Sequence, residues 1–191
     1  MKLIPLAEDS KVPEEGTTIK STISDDPRLH QEWMRDKNIG FPLEENTVVV
    51  ADFDGDKEKK ISGMDLSREF YRVNKDICKV MVETRRGIHF YFSGTAKTRK
   101  IVIDGTRVGD IKGNGYVVFP PSVVDGWQYR FVQGFKDFTK LAPFPAHLFP
   151  HETKEHPKHD IRNIRDYLKK VEAVKSKGTG WAAGVMRAAH C

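Results

Sequence analysis

The pattern of hydrophobic and polar positions changes period near residue 79. Residues 8–27 are polar and carry Pro13, Gly16 and Pro27, which reads as a loop. Asp25-Asp26-Pro27 then opens a helix reaching about Lys37, with Leu29, Trp33 and Met34 turned inward. Residues 38–41 read as a short strand. Residues 47–54, Thr-Val-Val-Val-Ala-Asp-Phe-Asp, form the clearest strand, and their unbroken apolar start predicts burial on both faces. Residues 64–75 return to helical spacing, with Leu66, Phe70 and Val73 as the buried stripe.

From Lys79 onward short apolar runs alternate with turn residues. Residues 80–83 and 88–92 flank a hairpin-length connection at 84–87. Residues 101–103, 107–111 and 116–119 follow, the last two joined by the turn Lys112-Gly113-Asn114-Gly115 and the last ended by Pro120-Pro121. Residues 128–132 make one more strand, so this half reads as an antiparallel sheet built of hairpins. The Pro- and His-rich stretch 143–157 reads as a linker. Asp160 caps a helix whose Ile161, Ile164, Leu168 and Val171 share a face. Residues 180–191 begin another small-residue helical pattern that stops without a capping glycine, so a longer natural chain is expected.

A chain of 191 residues suits one domain with an appendage, expected as residues 1–140 and 141–191. With 38% hydrophobic and 31% charged residues it is neither disordered nor a membrane protein, and no apolar run approaches the roughly 20 residues of a membrane span. The apolar part of residues 1–6 is too short for a signal peptide. Cys78 and Cys191 are too few for a disulfide framework, which leaves a soluble protein of a reducing compartment, the cytoplasm. The net charge of +5 is unevenly spread: residues 1–78 carry −5, residues 79–140 carry +6 and residues 141–191 carry +4. Such asymmetry fits either a solvated surface or a polyanionic partner.

Three features could carry chemistry. Strand alternation puts Asp52 and Asp54 on one side while Phe53 packs inward. Two such carboxylates suit Mg²⁺ or Mn²⁺, and an Asx-rich turn before Gly55-Asp56 is the other reading. His89 shares a strand with Tyr91, just after Arg85, Arg86 and Gly87. That combination reads as a phosphate site or as a surface histidine beside a basic hairpin tip. Asp110 ends a strand before a Gly-x-Gly turn, either as a third metal carboxylate or as a turn residue. Lys97, Arg99, Lys100, Arg107 and Lys112 are candidates for contacts to a polyanion, or for a solvated face. His151, Glu152, Glu155, His156 and His159 fit no tight tetrahedral zinc spacing.

The same segments carry a family resemblance. Residues 47–55, Thr-Val-Val-Val-Ala-Asp-Phe-Asp-Gly, then 84–92, Thr-Arg-Arg-Gly-Ile-His-Phe-Tyr-Phe, then 109–122 from Gly109-Asp110 through Gly113-Asn114-Gly115 to Pro120-Pro121-Ser122, resemble the bifunctional primase–polymerase domain. That domain belongs to the archaeo-eukaryotic primase superfamily of phage and plasmid replication proteins. Ile4-Pro5-Leu6 with Lys11-Val12-Pro13 resembles the family's opening, and Tyr129-Arg130-Phe131 its closing strand. The resemblance implies an α+β fold, a mixed or antiparallel sheet with an RRM-like half flanked by helices, and a C-terminal helical extension. It implies Asp52, Asp54 and Asp110 as catalytic metal-binding carboxylates holding two ions, Mg²⁺ or Mn²⁺. By the same resemblance His89 contacts the incoming nucleotide's phosphates, with Arg85, Arg86 and Lys112 beside it. Many members approach this histidine through a Ser-Gly-Gly sequence, where this chain has Arg85-Arg86-Gly87, a pattern of phage versions.

The implied activity is template-dependent nucleotidyl transfer, as a DNA primase or polymerase. The implied partners are single-stranded or primed DNA, nucleoside triphosphates and a helicase module, with no membrane, in the cytoplasm of a host if the chain is phage-encoded. Two rivals remain at this point. A haloacid-dehalogenase-like phosphatase also places Asp-x-Asp-Gly after a buried strand, but it requires a parallel sheet, and Asp56 departs from its motif. A non-catalytic nucleic-acid-binding module would use the acidic residues structurally.

Overall fold

The computed structural model describes residues 1–149. The helix expected from Asp160, the His/Glu stretch 151–159 and the segment 180–191 lie outside the described residues. In chain order the elements begin with β1 (Ile4–Leu6), α1 (Ile19–Thr22), α2 (Pro27–Asp36), β2 (Asn38–Pro42) and α3 (Leu43–Asn46). Next come β3 (Val48–Phe53), β4 (Gly55–Asp56), β5 (Ile61–Ser62) and α4 (Gly63–Asn74). The second half gives β6 (Val80–Glu83), β7 (Ile88–Ser93), β8 (Arg99–Ile103), β9 (Thr106–Lys112), β10 (Tyr116–Phe119), β11 (Val123–Val124), β12 (Trp127–Gln128) and β13 (Arg130–Lys136). The fold is α+β with antiparallel sheets and few helices.

Local signals explain most of these elements. Pro27 opens α2, where the Arg28 amide donates to the Asp26 carboxylate at 2.8 Å. Ser62 caps α4 by accepting from the Asp65 amide at 3.1 Å, and Leu66, Phe70 and Val73 form its buried face. The α2 stripe differs from the expected one: Leu29 and Met34 are 38% and 37% exposed, while His30 is buried. His30 Nε2 lies 2.9 Å from the Ser24 carbonyl and its ring packs by Trp33, so the docked face is rotated toward His30. The loop expected over 8–27 is interrupted by α1, capped by Thr18.

The central sheet has six strands in the order β13-β6-β7-β3-β9-β8, and every neighbouring pair is antiparallel. β3, in its interior, is buried along its whole length. Val48 and Val50 face one core, shared with Val80, Val82, Tyr91 and the second sheet β1-β2-β10. Val49, Ala51 and Phe53 face the other, under Leu66 and Phe70 of α4. β10 departs from the expected run of hairpins: it leaves β9 and pairs with β2 instead. Both edges of β9 are already taken, by β3 and β8, so the apolar Val117, Val118 and Phe119 are buried in the second layer. The strand expected over 128–132 is split, because the Tyr129 amide turns to the Ser122 carbonyl at 2.8 Å. The Pro-rich stretch expected as a linker is docked as far as Phe149, which packs on Phe53, Phe70 and Phe144.

The end of β3 is held by close backbone approach. A Cβ on Gly87 would lie 1.9 Å from the Phe53 carbonyl oxygen, and one on Gly109 would lie 2.1 Å from that of Asp52. The hairpin between β6 and β7 and the middle of β9 therefore fit only as glycine at these points. Gly87→Ala is expected to lower stability by about 3 kcal/mol in urea unfolding, since backbone rather than a side chain must move.

Candidate active site

Antiparallel register lines up the chemistry. Asp52 on β3 stands opposite His89 on β7 and opposite Asp110 on β9, so the three form one row across three neighbouring strands. Lys100 on β8 extends the row beside Asp110, and Lys112 on β9 stands opposite Val50 one step along the same face. Asp52 and Asp110 are 58 residues apart, and the ladder alone brings them together. Asp52, His89 and Asp110 are 5%, 6% and 9% exposed, so their charges need partners rather than water.

The partners are cations. His89 Nε2 lies 3.5 Å from Asp52 Oδ1, and Lys112 Nζ lies 3.6 Å from Asp52 Oδ2 and 3.5 Å from Asp110 Oδ2. Arg107 takes both oxygens of Asp110, with Nε at 3.1 Å from Oδ1 and a terminal nitrogen at 2.5 Å from Oδ2. Arg86 Nε stands 4.0 Å from Asp54 Oδ1. Arg85 reaches Asp125 at 3.7 Å, away from the carboxylate row. Arg99, grouped with the basic candidates in sequence, donates to the Phe149 carbonyl and so holds the docked segment.

Burial raises the Asp52 carboxyl, but the charges of His89 and then Lys112 outweigh it and hold the group below its ordinary value. Asp54 goes the other way: burial and the neighbouring Asp52 charge raise it, opposed by Arg86, His89 and Lys112. Tyr129, whose ring centre is 6.1 Å from that of His89, is pushed up to about 12 by burial and then by Asp52, Asp54 and Asp125. Tyr91, beneath His89, is raised well above its ordinary value, mainly by burial. Both phenols are neutral at physiological pH. The sequence marked Tyr129 only as part of a closing strand; it comes beside His89 through the β11–β12 return.

Polar capacity is left open in this row. Asp52 Oδ1, His89 Nδ1 and the Tyr91 hydroxyl are buried without a hydrogen-bond partner. Asp54 opens on a cleft of about 430 Å³, lined also by residues 55–58, Arg86, Arg107 and Gly109. Asp52, Asp54 and Asp110 could hold a divalent cation: they are hard oxygen donors, one of them with an orphaned buried oxygen. Among the described residues no group of three His, Cys, Asp or Glu side chains is already gathered as a metal cage, since Asp110 is turned to Arg107.

Residues 1–147 match the N-terminal domain family of bifunctional DNA primase/polymerases, Prim-Pol. The chain belongs to this family. No curated protein matches it significantly. Prim-Pol membership makes the protein a nucleotidyltransferase of the DNA primase/polymerase type in general, acting on a DNA template and nucleotides, in a family that is generally dependent on divalent metal. The haloacid-dehalogenase alternative falls, because the central sheet is antiparallel where that fold requires a parallel one. Among the described residues no helix is long and apolar enough to cross a membrane.

The raised Asp54 carboxyl has a consequence for stability. A folded-state value above the ordinary 3.8 means that ionised Asp54 destabilises the fold at neutral pH, and that this penalty fades as the pH falls through the raised value and is gone below 3.8. Asp54→Asn is therefore expected to melt higher than the native protein at pH 7, with the gap closing in acid, as paired thermal melts would show.

Proposed function

We propose that this Prim-Pol site joins the 3′-hydroxyl of a primer strand to the α-phosphate of a bound nucleoside triphosphate, directed by a DNA template, during phage or plasmid replication. The observation that carries the reading is the buried row His89–Asp52–Asp110, flanked by Asp54 in the lining of the cleft. Asp52, Asp54 and Asp110 would hold two divalent ions, Mg²⁺ or Mn²⁺. When bound, these lower the pKa of the attacking hydroxyl and neutralise the pyrophosphate leaving group.

The chain's own residues do the rest by position and charge. His89, Arg86 and Lys112 surround the carboxylates and bind the triphosphate, with Arg85 drawn from Asp125 at the same hairpin tip. Arg rather than Ser-Gly-Gly before the histidine lets guanidinium forks take phosphate oxygens. No side chain has to become a nucleophile. The neutral Tyr91 and Tyr129 pack against His89 and limit how its ring can turn. Single-stranded or primed DNA is the macromolecular substrate, and a helicase module in the same or a partner chain is the expected co-worker.

Primed-template extension with Mg²⁺ or Mn²⁺ tests the reading. Asp52→Ala with Asp54→Ala is expected to reduce extension by roughly a thousandfold or more, the scale on which lost charge stabilisation acts. Undiminished extension by a folded double variant would sink the catalytic assignment. Metal-independent, steeply salt-dependent DNA binding without extension would point to a binding module instead. For His89→Ala the apparent KM for nucleotide is expected to rise about tenfold with a smaller change in kcat, as steady-state kinetics would report, in line with one lost charge-assisted contact to phosphate.

A further inference from the structure

Asp110 is held by a device that nucleotidyl transfer does not itself require. In a regular strand, residues three apart point to opposite faces. β9 carries one extra residue: Ile101 pairs with Gly109 and Val102 with Arg107, which leaves Val108 without a partner on β8. Val108 is wholly buried in the core under α4. The bulge cancels the strand's parity and brings Arg107 onto the carboxylate of Asp110. The guanidinium fork covers both oxygens, and Lys112 Nζ stands 3.5 Å from one of them. On the next strand Asp52 keeps a buried oxygen without a hydrogen-bond partner. Asp52 thus faces His89 and Lys112 only at ion-pair distance, whereas both oxygens of Asp110 are hydrogen-bonded to the fork.

Arg107 also has somewhere else to go. Its side chain is 56% exposed and lines the cleft that Asp54 and Arg86 share. An ion pair with one partner this exposed is weak and exchangeable. Resting on the reading of this site as a nucleotidyl-transfer centre, we propose that Arg107 is a positioning residue that closes Asp110 to cations until a nucleoside triphosphate in the cleft draws the guanidinium to its phosphates. A bare divalent ion must compete with the fork for the same two oxygens. An ion arriving with a nucleotide brings the anion that removes it. Metal and nucleotide affinities are thereby coupled through one arginine, and the coupling acts equally in both directions.

The test is Mn²⁺ binding to the full chain without nucleotide, read from the free-Mn²⁺ EPR signal. Arg107→Gln is expected to bind Mn²⁺ about two- to fivefold tighter than the native protein, the range an exposed pair supports. Arg107→Lys, which keeps the charge but loses the fork, is expected to fall between the two. Adding a deoxynucleoside triphosphate with a non-cleavable α–β linkage is expected to tighten Mn²⁺ binding more in the native protein than in Arg107→Gln. Unchanged Mn²⁺ affinity in Arg107→Gln, while Asp52→Ala with Asp54→Ala loses binding, overturns the closure and leaves the catalytic reading standing. Tighter binding by Arg107→Gln with Arg107→Lys like the native protein assigns the effect to net charge and also overturns it. Native-like Mn²⁺ binding by the Asp52/Asp54 variant overturns the metal reading and the closure together. Thermal melts confirm that each variant is folded.

Discussion

A carboxylate buried on an interior strand of a sheet is the constraint around which this domain is built. Moving an isolated ionised group out of water costs several kcal/mol even after relaxation, so Asp52 is tolerable only with charges arranged about it. The sheet supplies them laterally, through His89 on one side and Lys112 on the other. That arrangement demands antiparallel neighbours in exact register, because a one-residue slip would turn every one of these side chains to the opposite face. The glycines at 87 and 109 let the neighbouring backbones close on the end of β3 and so secure the register where the chemistry sits.

The two faces of the sheet divide the work. Under α4, the face carrying Val49, Ala51 and Phe53 is apolar, and Phe149 closes it. The opposite face is apolar only toward the second sheet, through Val48, Val50 and Tyr91, and becomes polar at Asp52 and His89. The site is thus a place where a continuous core gives way to charge without a break in the strands. Residual unpaired atoms at Asp52, His89 and Tyr91 are the mark of a site arranged for something other than stability. The raised Asp54 carboxyl carries the same signature at the cleft.

Family membership and geometry support each other at different levels. The match over residues 1–147 establishes a Prim-Pol domain and a general class of chemistry. The register explains how segments far apart in sequence can serve one site. The Arg107–Asp110 pair belongs to neither argument: it depends on a single bulge in β9 and bears on the order in which the site would be filled.

Much of the fold was readable from local pattern. The unbroken apolar run of β3, the capped stripe of α4 and the turn between β6 and β7 each carry their own signal, since burial on two faces, helical spacing and hairpin chemistry are short-range properties. Asp52, Asp54, His89 and Asp110 stood out because charged or titratable groups at strand ends are costly without a purpose. What tertiary structure alone decided depends on which edges were already occupied. β10 joins β2 because β9 has no free side, and α2 turns His30 inward because a carbonyl awaits it there. Likewise Arg107 meets Asp110 only through a bulge whose extra residue fills the far core, and Tyr129 reaches His89 only through a returning hairpin. Local sequence determines which residues want burial and which turns can form; the competition for shared edges and core space, settled by the whole chain at once, determines which charges finally meet.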